Sequence, residues 1–258
     1  MIREINFKRL ENLCEPYINH KKPNVLLTRL VSNALCFSQN SLCTIYEIEN
    51  VGKIVGVMCR YGGAITIYPF RKIDLDELCS FLSVAPITSV ETTEKTAKKI
   101  SKALDMKKIS GRAFYNPKPK NFVDYKVSET ENVSEFFDVL RLADPYYKDI
   151  SYEEYYCDVF YRQKLPARLF LVKFDGKNAG TAAIMHEYKN ISIISDVSVL
   201  NDFRRRGIAS AITAKVSKTL ICEGKIPTLM CTEKYIQRLY KKIGFKPLEK
   251  FSMLYFNK

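Results

Sequence analysis

The sequence predicts an α/β protein made of two halves of one design. Three observations predict it. Short β-rich runs alternate with longer amphipathic ones along the chain. The order of those runs repeats once, with glycines in matching places. Between the repeats lies NPKPK at residues 116–120, two prolines among lysines, which reads as an extended linker. The expected domains are residues 1–120 and 121–258.

In the first half, CTIYEIE at 43–49 reads as a strand, NVGK as a turn, KIVGVMCRYG as a returning strand and AITIYPF as a third. RLFLVKFD, GK, NAGTAAIMHEY and ISIISDVSVL repeat this hairpin and third strand in the second half. Gly52 to Gly176 and Gly56 to Gly180 are both 124 residues apart, so the hairpins superpose without a gap. Further on, Thr93-Glu94-Lys95 recurs as Thr232-Glu233-Lys234, 139 residues on, so the second half has gained 15 residues. These are expected where RRRGIAS and the helix after it sit. The first half continues instead as RKIDLDELCSFL, with no glycine between residues 64 and 110.

At 258 residues and 47% hydrophobic content the chain is long and apolar enough for real cores. No run approaches the ~20 apolar residues of a membrane span, and MIREINFKRLENLC is charged from its third residue, unlike a signal peptide. A soluble, cytoplasmic protein is expected, with no membrane partner. The net charge of +13 raises nucleic acid as a partner, but the 41 Lys and Arg are spread along the chain. A solvated basic surface is the expected reading, and nucleic-acid association the lesser one. The eight cysteines are scattered, with no C-x-x-C pair and two histidines to help them, so buried thiols and no metal site are expected.

ISIISDVSVL ends near Leu200, and GIASAITAKVSKTLICEGK reads as a helix with Ile208, Ile212, Val216 and Leu220 on one stripe and Gly224 as its stop. Between them stands NDFRRRG, a tight strand-to-helix turn. The first backbone N–H groups of a helix lack partners, and its dipole presents roughly half a positive charge there, so an anion is stabilised. Gly207 lets the backbone approach such an anion closely. Three adjacent arginines repel one another unless an anion or water relieves them, and a pyrophosphate answers all three features.

Arg204-Arg205-Arg206-Gly207-Ile208-Ala209 resembles the Q/R-x-x-G-x-G/A fingerprint of the GNAT family of acetyl-CoA-dependent N-acyltransferases. Val199-Leu200-Asn201-Asp202-Phe203 before it is similar to the family's valine, x, proline, acidic, aromatic run, with Asn201 for the proline. The order of elements from DYKVSE to EKFSMLYF fits as well. The resemblance implies two tandem GNAT-like folds, mixed and mostly antiparallel sheets flanked by helices, the first half degenerate. It further implies that amides from Arg205 to Ser210, with Arg204, hold the pyrophosphate of coenzyme A, and that the open strand edge at Val197, Ser198 and Val199 pairs with the pantetheine arm.

In the family an amine attacks the thioester directly. A lysine-like amine of pKa about 10.4 must lose a proton first, which draws attention to Asp196, on the third strand. It is the first candidate for the base or for gripping the ammonium; a strand-edge carboxylate in a structural hydrogen bond is the alternative. Leu239-Tyr240-Lys241-Lys242-Ile243-Gly244-Phe245 matches the family's L-Y-x-x-x-G-F, which implies Tyr240 as the acid that protonates the leaving thiolate. Glu233 stands where many relatives carry an asparagine that contacts the cofactor. By the offset of 139, Ser101 lies opposite Tyr240 and Asp105 opposite Gly244, so the first half lacks acid, glycine and phosphate turn together.

DPYYKDISYEEYYCDVFYR at 144–162 holds six tyrosines among carboxylates. Tyr152, Glu153, Tyr155 and Tyr156, with Glu154, form a candidate aromatic, anionic cup for a cationic amine; packing of these tyrosines against the first half is the alternative. His186 reads as a satisfied strand histidine. The expected function is transfer of an acetyl group from acetyl-CoA to a primary amine, small molecule or peptide. The first half would complete the acceptor cleft or form a homodimer interface. The alternative is a module that binds CoA or acyl-CoA as a sensor without turnover.

Overall fold

The computed structural model describes residues 1–18, 22–39, 42–162, 165 and 167–256. The sequence YEEYYCDVFYRQ at 152–163 reads as a helix, and its last residue, Gln163, lies outside the described residues. By compactness the chain separates into one unit of Met1–Ala113 with Leu248–Lys258 and a second of Phe114–Pro247. Sequence divides the chain at 120/121; compactness divides it after Ala113 and returns the last strand to the first unit.

The first unit runs β1 (Ile2–Glu4), α1 (Phe7–Ile18), α2 (Val25–Phe37), β2 (Cys43–Asn50), β3 (Lys53–Tyr61), β4 (Ala64–Pro69), α3 (Leu75–Val84), β5 (Ser89–Thr93), α4 (Glu94–Ala103) and β6 (Lys107–Tyr115). The second half of the chain runs β7 (Lys126–Thr130), α5 (Val133–Ala143), α6 (Tyr152–Tyr161), β8 (Arg168–Phe174), β9 (Lys177–Tyr188), β10 (Ile191–Val199), α7 (Ile208–Cys222), β11 (Ile226–Cys231), α8 (Lys234–Ile243) and β12 (Lys246–Tyr255), the last of which joins the first unit. The two lists are the same in kind and order, as the repeat predicts. Strand order is β1-β2-β3-β4-β5-β12-β6 in the first unit and β11-β10-β9-β8-β7 in the second. The β2-β3-β4 and β8-β9-β10 meanders are antiparallel, and β4 with β5 and β10 with β11 are parallel.

The hairpins match in detail. Both turns use two successive left-handed residues, Val51 (φ 49°) with Gly52 (φ 71°) and Asp175 (φ 49°) with Gly176 (φ 76°), the conformation that suits the right-handed strand twist. Each also carries a bulge at the same place, between Ile48 and Glu49 and between Val172 and Lys173. The 15 extra residues are spread more widely than the sequence suggests. From 124 at Gly56/Gly180, the offset between equivalent ends rises to 127 at Tyr61/Tyr188, 130 at Pro69/Val199, 133 at Leu75/Ile208 and 138 at Val84/Cys222. The β9–β10 hairpin, the turn and α7 have all lengthened.

The second unit encloses two cores. One, of Val172, Ile194, Ile208, Ile212, Leu229, Ile243 and Phe245 among others, lies under α7 and α8; the other, of Phe136, Phe137, Leu140, Leu169 and Met185, lies under α5 and α6. Ile208, Ile212, Val216 and Leu220 are all at most 1% exposed. Burial of such side chains contributes about 1.5–3 kcal/mol each, enough to hold α7 in place however its first turn is used. The linker 116–120 is not free: the Asn116 and Lys120 amides donate to Pro227 O at 2.8 Å and Ile243 O at 3.0 Å. The expectation of uniformly buried thiols fails at Cys157 and Cys222, which are exposed, and at Cys43, which is half-buried. Their helices and strand turn those positions toward solvent. No helix among the described residues is long and apolar enough to cross a membrane.

Candidate active site

The turn from β10 to α7 is the sharpest difference between the units. In the first unit α3 starts at Asp74, whose carboxylate accepts from the Asp76 amide at 3.0 Å, with Asp76 and Glu77 in the first turn. Its positive end is already neutralised. In the second unit the N-cap of α7 is Gly207 at φ 81°, and no side chain caps the helix. A Cβ added at Gly207 would meet nothing within 4 Å. The amides of Ile208, Ala209 and Ser210 thus head an open helix end.

The three arginines divide their tasks. Arg204 turns back to the scaffold, donating from Nε to Val199 O at 3.1 Å and from Nη2 to Ala143 O at 2.8 Å, which ties the end of β10 to the end of α5. Arg206 lays its guanidinium 4.9 Å from the Phe174 ring centroid, while its carbonyl accepts from Tyr125 Oη at 2.7 Å. Arg205, exposed, takes the left-handed conformation at φ 62°. That strain persists because Tyr125 and Arg204 hold the residues on either side. The sequence alone carried no sign that the first arginine is structural.

Beside this turn the sheet opens. The β10–β11 ladder stops at Ile194 with Leu229, although β10 continues to Val199 and β11 to Cys231. Ser198 and Val199 therefore keep β9 as a neighbour through Thr181 and Gly180, Val197 lies in a register shift just before them, and the other backbone edge of all three has left the ladder. A register shift between Ser195 and Ser198 marks a bulge in this stretch, and within it Asp196 sits at φ 51°. The β3–β4 pairing of the first unit shows no such shift.

The bulge aims Asp196 at the helices. Its Oδ1 accepts from Tyr147 Oη at 2.6 Å, its Oδ2 from Tyr155 Oη at 3.0 Å, and its carbonyl from Thr181 Oγ1 at 2.7 Å. Desolvation raises the Asp196 carboxyl above its ordinary pKa, against the lowering effect of both phenols. Burial, then the Asp196 charge, raises Tyr147 and Tyr155 in turn, so both stay hydrogen-bond donors. A capping box of Ser151 with Glu154 starts α6 and orients Tyr155, whose ring stacks on Phe137 at 4.8 Å.

Of the expected acceptor cup, then, Tyr155 is buried against Asp196, and Glu154 is occupied by capping. Tyr152 and Tyr156 remain exposed, 5.7 Å apart between centroids, with Phe160 stacked 5.9 Å beyond Tyr156; Glu153 is exposed beside them. Tyr147 was missed as a site residue, because nothing local distinguishes it from its neighbour Tyr146. His186 is buried, with Nδ1 3.4 Å from Arg162 Nη1.

Tyr240 lies in the α7–α8 core, 7% exposed, edge-on to Phe245 at 5.7 Å. Burial, with Cys231 adding, raises its phenol above the ordinary value. Cys231 itself is pushed up to about 11 by burial and reaches Glu233 O at 3.5 Å. Gly244 ends α8 at φ 112°, where a Cβ would come within 2.8 Å of Lys118 O. Asp105, its counterpart, is also left-handed, at φ 48°. The second unit also contains a cavity of about 730 Å³ lined by Val133, Phe160, Arg162, Leu169, Met185 and Lys225 among others, separate in its lining from the turn and from Asp196.

A family model described as FR47-like protein matches residues 173–253, from the end of β8 into β12. No curated protein matches the sequence. Among solved structures, a GNAT-family acetyltransferase from Colwellia psychrerythraea is similar with a TM-score of 0.62 and 14% identity over 100% of both chains. A GCN5-related N-acetyltransferase-like protein from Streptococcus suis matches at 0.61 and 11%, over 98% of this chain and 100% of that one. A tandem GNAT protein from the clavulanic acid biosynthesis pathway matches at 0.61 and 11%, over 98% and 97%. The GNAT-like fold that the resemblance implies is borne out: the chain has the α/β fold of these GNAT proteins.

Proposed function

We propose that the protein transfers an acetyl group from acetyl-CoA to a primary amine, at a site built by the second unit. The observation that carries the proposal is the uncapped start of α7 at Gly207, beside a β10 edge that has left its ladder. These features suit a pyrophosphate on the amides of Arg205–Ser210 and an amide-bearing arm along Val197–Val199. When bound, the coenzyme supplies the acyl group as a thioester.

The residues of the chain supply the proton handling. Asp196, raised by desolvation, is suited to take a proton from an ammonium or to hold it, and the phenols of Tyr147 and Tyr155 fix its orientation. Tyr240 keeps its proton, so its Oη is suited to donate to a departing thiolate. Tyr152, Tyr156 and Glu153 offer an aromatic and acidic surface to a cationic acceptor. A cytoplasmic location and a homodimer remain part of this reading.

The test is thiol release from acetyl-CoA across a panel of primary amines, beside Gly207→Asp. Amine-dependent release that the variant lacks supports the proposal; no release with any amine refutes turnover. One observation favours a second reading, a sensor that binds the coenzyme without turnover: Tyr240 is packed in an apolar core rather than set on an open surface. That reading requires coenzyme binding with no release.

A further inference from the structure

Cys43 opens β2 and Cys59 lies near the end of β3, on neighbouring antiparallel strands of the first unit. The ladder pairs Cys43 with Tyr61 and Ile45 with Cys59, so the two cysteines are diagonal neighbours on one face of the sheet. Their sulfurs are 3.8 Å apart. A disulfide requires a sulfur separation of about 2.05 Å and Cα atoms within about 7 Å; diagonal strand neighbours stand near that limit, so closure turns the χ angles and draws the two strands locally together.

The two thiols are unequal in a way that sets an order of events. Cys43 is half-buried at the edge of the strand, whereas Cys59 is 2% exposed. The hydrogen bond from Cys59 lowers the Cys43 pKa, burial opposes this, and the Arg60 guanidinium adds to the lowering. The Cys59 thiol is raised, by that same hydrogen bond and by burial. Arg60 is itself anchored, with Nη2 donating to Thr44 Oγ1 at 3.1 Å. The arrangement is an accessible, activated thiol with a second thiol behind it, whereas the thiol of Cys14 is isolated in the core and pushed up to about 12 by burial.

We propose that Cys43 and Cys59 form a site of reversible oxidation, at which a peroxide converts the two thiols into a disulfide joining β2 to β3. The Cys43 thiolate attacks one peroxide oxygen, the O–O bond breaks, and the other oxygen leaves as water, giving a sulfenic acid on Cys43. Cys59 then attacks that sulfur and expels the oxygen as a second water. The two sulfurs together lose two electrons, which the peroxide gains.

The test uses the full chain with Cys157→Ser and Cys222→Ser, which removes the exposed thiols, treated with hydrogen peroxide, alkylated and digested for mass spectrometry. The expected product is a Cys43–Cys59 cross-linked peptide, two hydrogens lighter than the reduced pair, formed without denaturant and lost on adding dithiothreitol. With Cys59→Ser added, dimedone labels Cys43 instead. In the untreated chain, iodoacetamide alkylates Cys43 faster than Cys14. A folded protein, judged by an unchanged circular dichroism spectrum, that yields the cross-link only after denaturation overturns the proposal, as does dimedone labelling that avoids Cys43.

Discussion

Asp74 and Gly207 begin equivalent helices and leave opposite things behind: Asp74 fills its helix end with a carboxylate, and Gly207 leaves its end open. The expected consequence is that one helix end binds an anion and the other does not. Gly207→Asp should weaken acetyl-CoA binding by about tenfold or more, since a helix N-terminus is worth up to about 2 kcal/mol to an anion. Asp74→Ala should cost about 1 kcal/mol of stability as a lost cap and leave the affinity unchanged. Calorimetry with the coenzyme and thermal unfolding separate the two outcomes.

The three arginines should sort by what they touch. Arg204→Ala removes two hydrogen bonds from a charged donor to Val199 O and Ala143 O, and a loss of about 1.5–3 kcal/mol in stability is expected. Arg205→Ala should leave stability near that of the parent and reduce coenzyme affinity, with a shallower salt dependence. Equal effects of the two on unfolding would contradict this division.

Asp196 predicts a pH dependence whose sign is defined. Its carboxyl is raised in the folded chain, so the fold favours the protonated form. That contribution to stability is fully present below the unfolded value of about 3.9 and is lost as pH rises through the raised folded value. Asp196→Asn does not titrate there, so the variant should gain on the parent as pH rises across this window in denaturant melts. The acid limb of kcat/KM should lie above the ordinary carboxylate range, and the variant should lack it.

Tyr240→Phe removes one oxygen from a core position that packs edge-on to Phe245. Stability should change by less than about 1.5 kcal/mol, whereas kcat should fall by about a hundredfold or more if the phenol is the acid. Steady-state kinetics and a thermal melt on the same preparation check both halves. An unchanged kcat assigns the tyrosine to packing.

Gly244→Ala should be the most damaging of these changes. Its Cβ would fall 2.8 Å from Lys118 O, at a φ of 112°. Neither a backbone carbonyl nor this conformation yields cheaply, and a loss of about 2–4 kcal/mol is expected in urea unfolding.

Much of the fold was legible because its signals are local. Glycine spacing revealed the repeated hairpins, with the bulges of Ile48/Glu49 and Val172/Lys173 falling at the same offset of 124. The apolar stripe of Ile208, Ile212, Val216 and Leu220 placed α7, and its buried face confirms the period. The place of the extra residues was only partly legible, because lengthening a hairpin by equal amounts on both strands preserves its pattern. Exposure of Cys157 and Cys222 was missed for a related reason: a cysteine in an apolar run carries no mark of which face it occupies.

The sequence by itself determined the repeated order of elements, the tight strand-to-helix turn at Arg204–Gly207 and the asymmetry between a turn with glycine and one without. Each depends on backbone preferences of residues adjacent in the chain. Tertiary structure alone decided that Arg204 braces the scaffold, that the β10–β11 ladder ends at Ile194, and that Tyr147 and Tyr155 meet at Asp196 from 49 and 41 residues away. Such contacts depend on where a left-handed residue in a bulge aims its side chain, and on which helix face lies opposite. Neither is encoded by spacing, because both arise only when separate elements pack together.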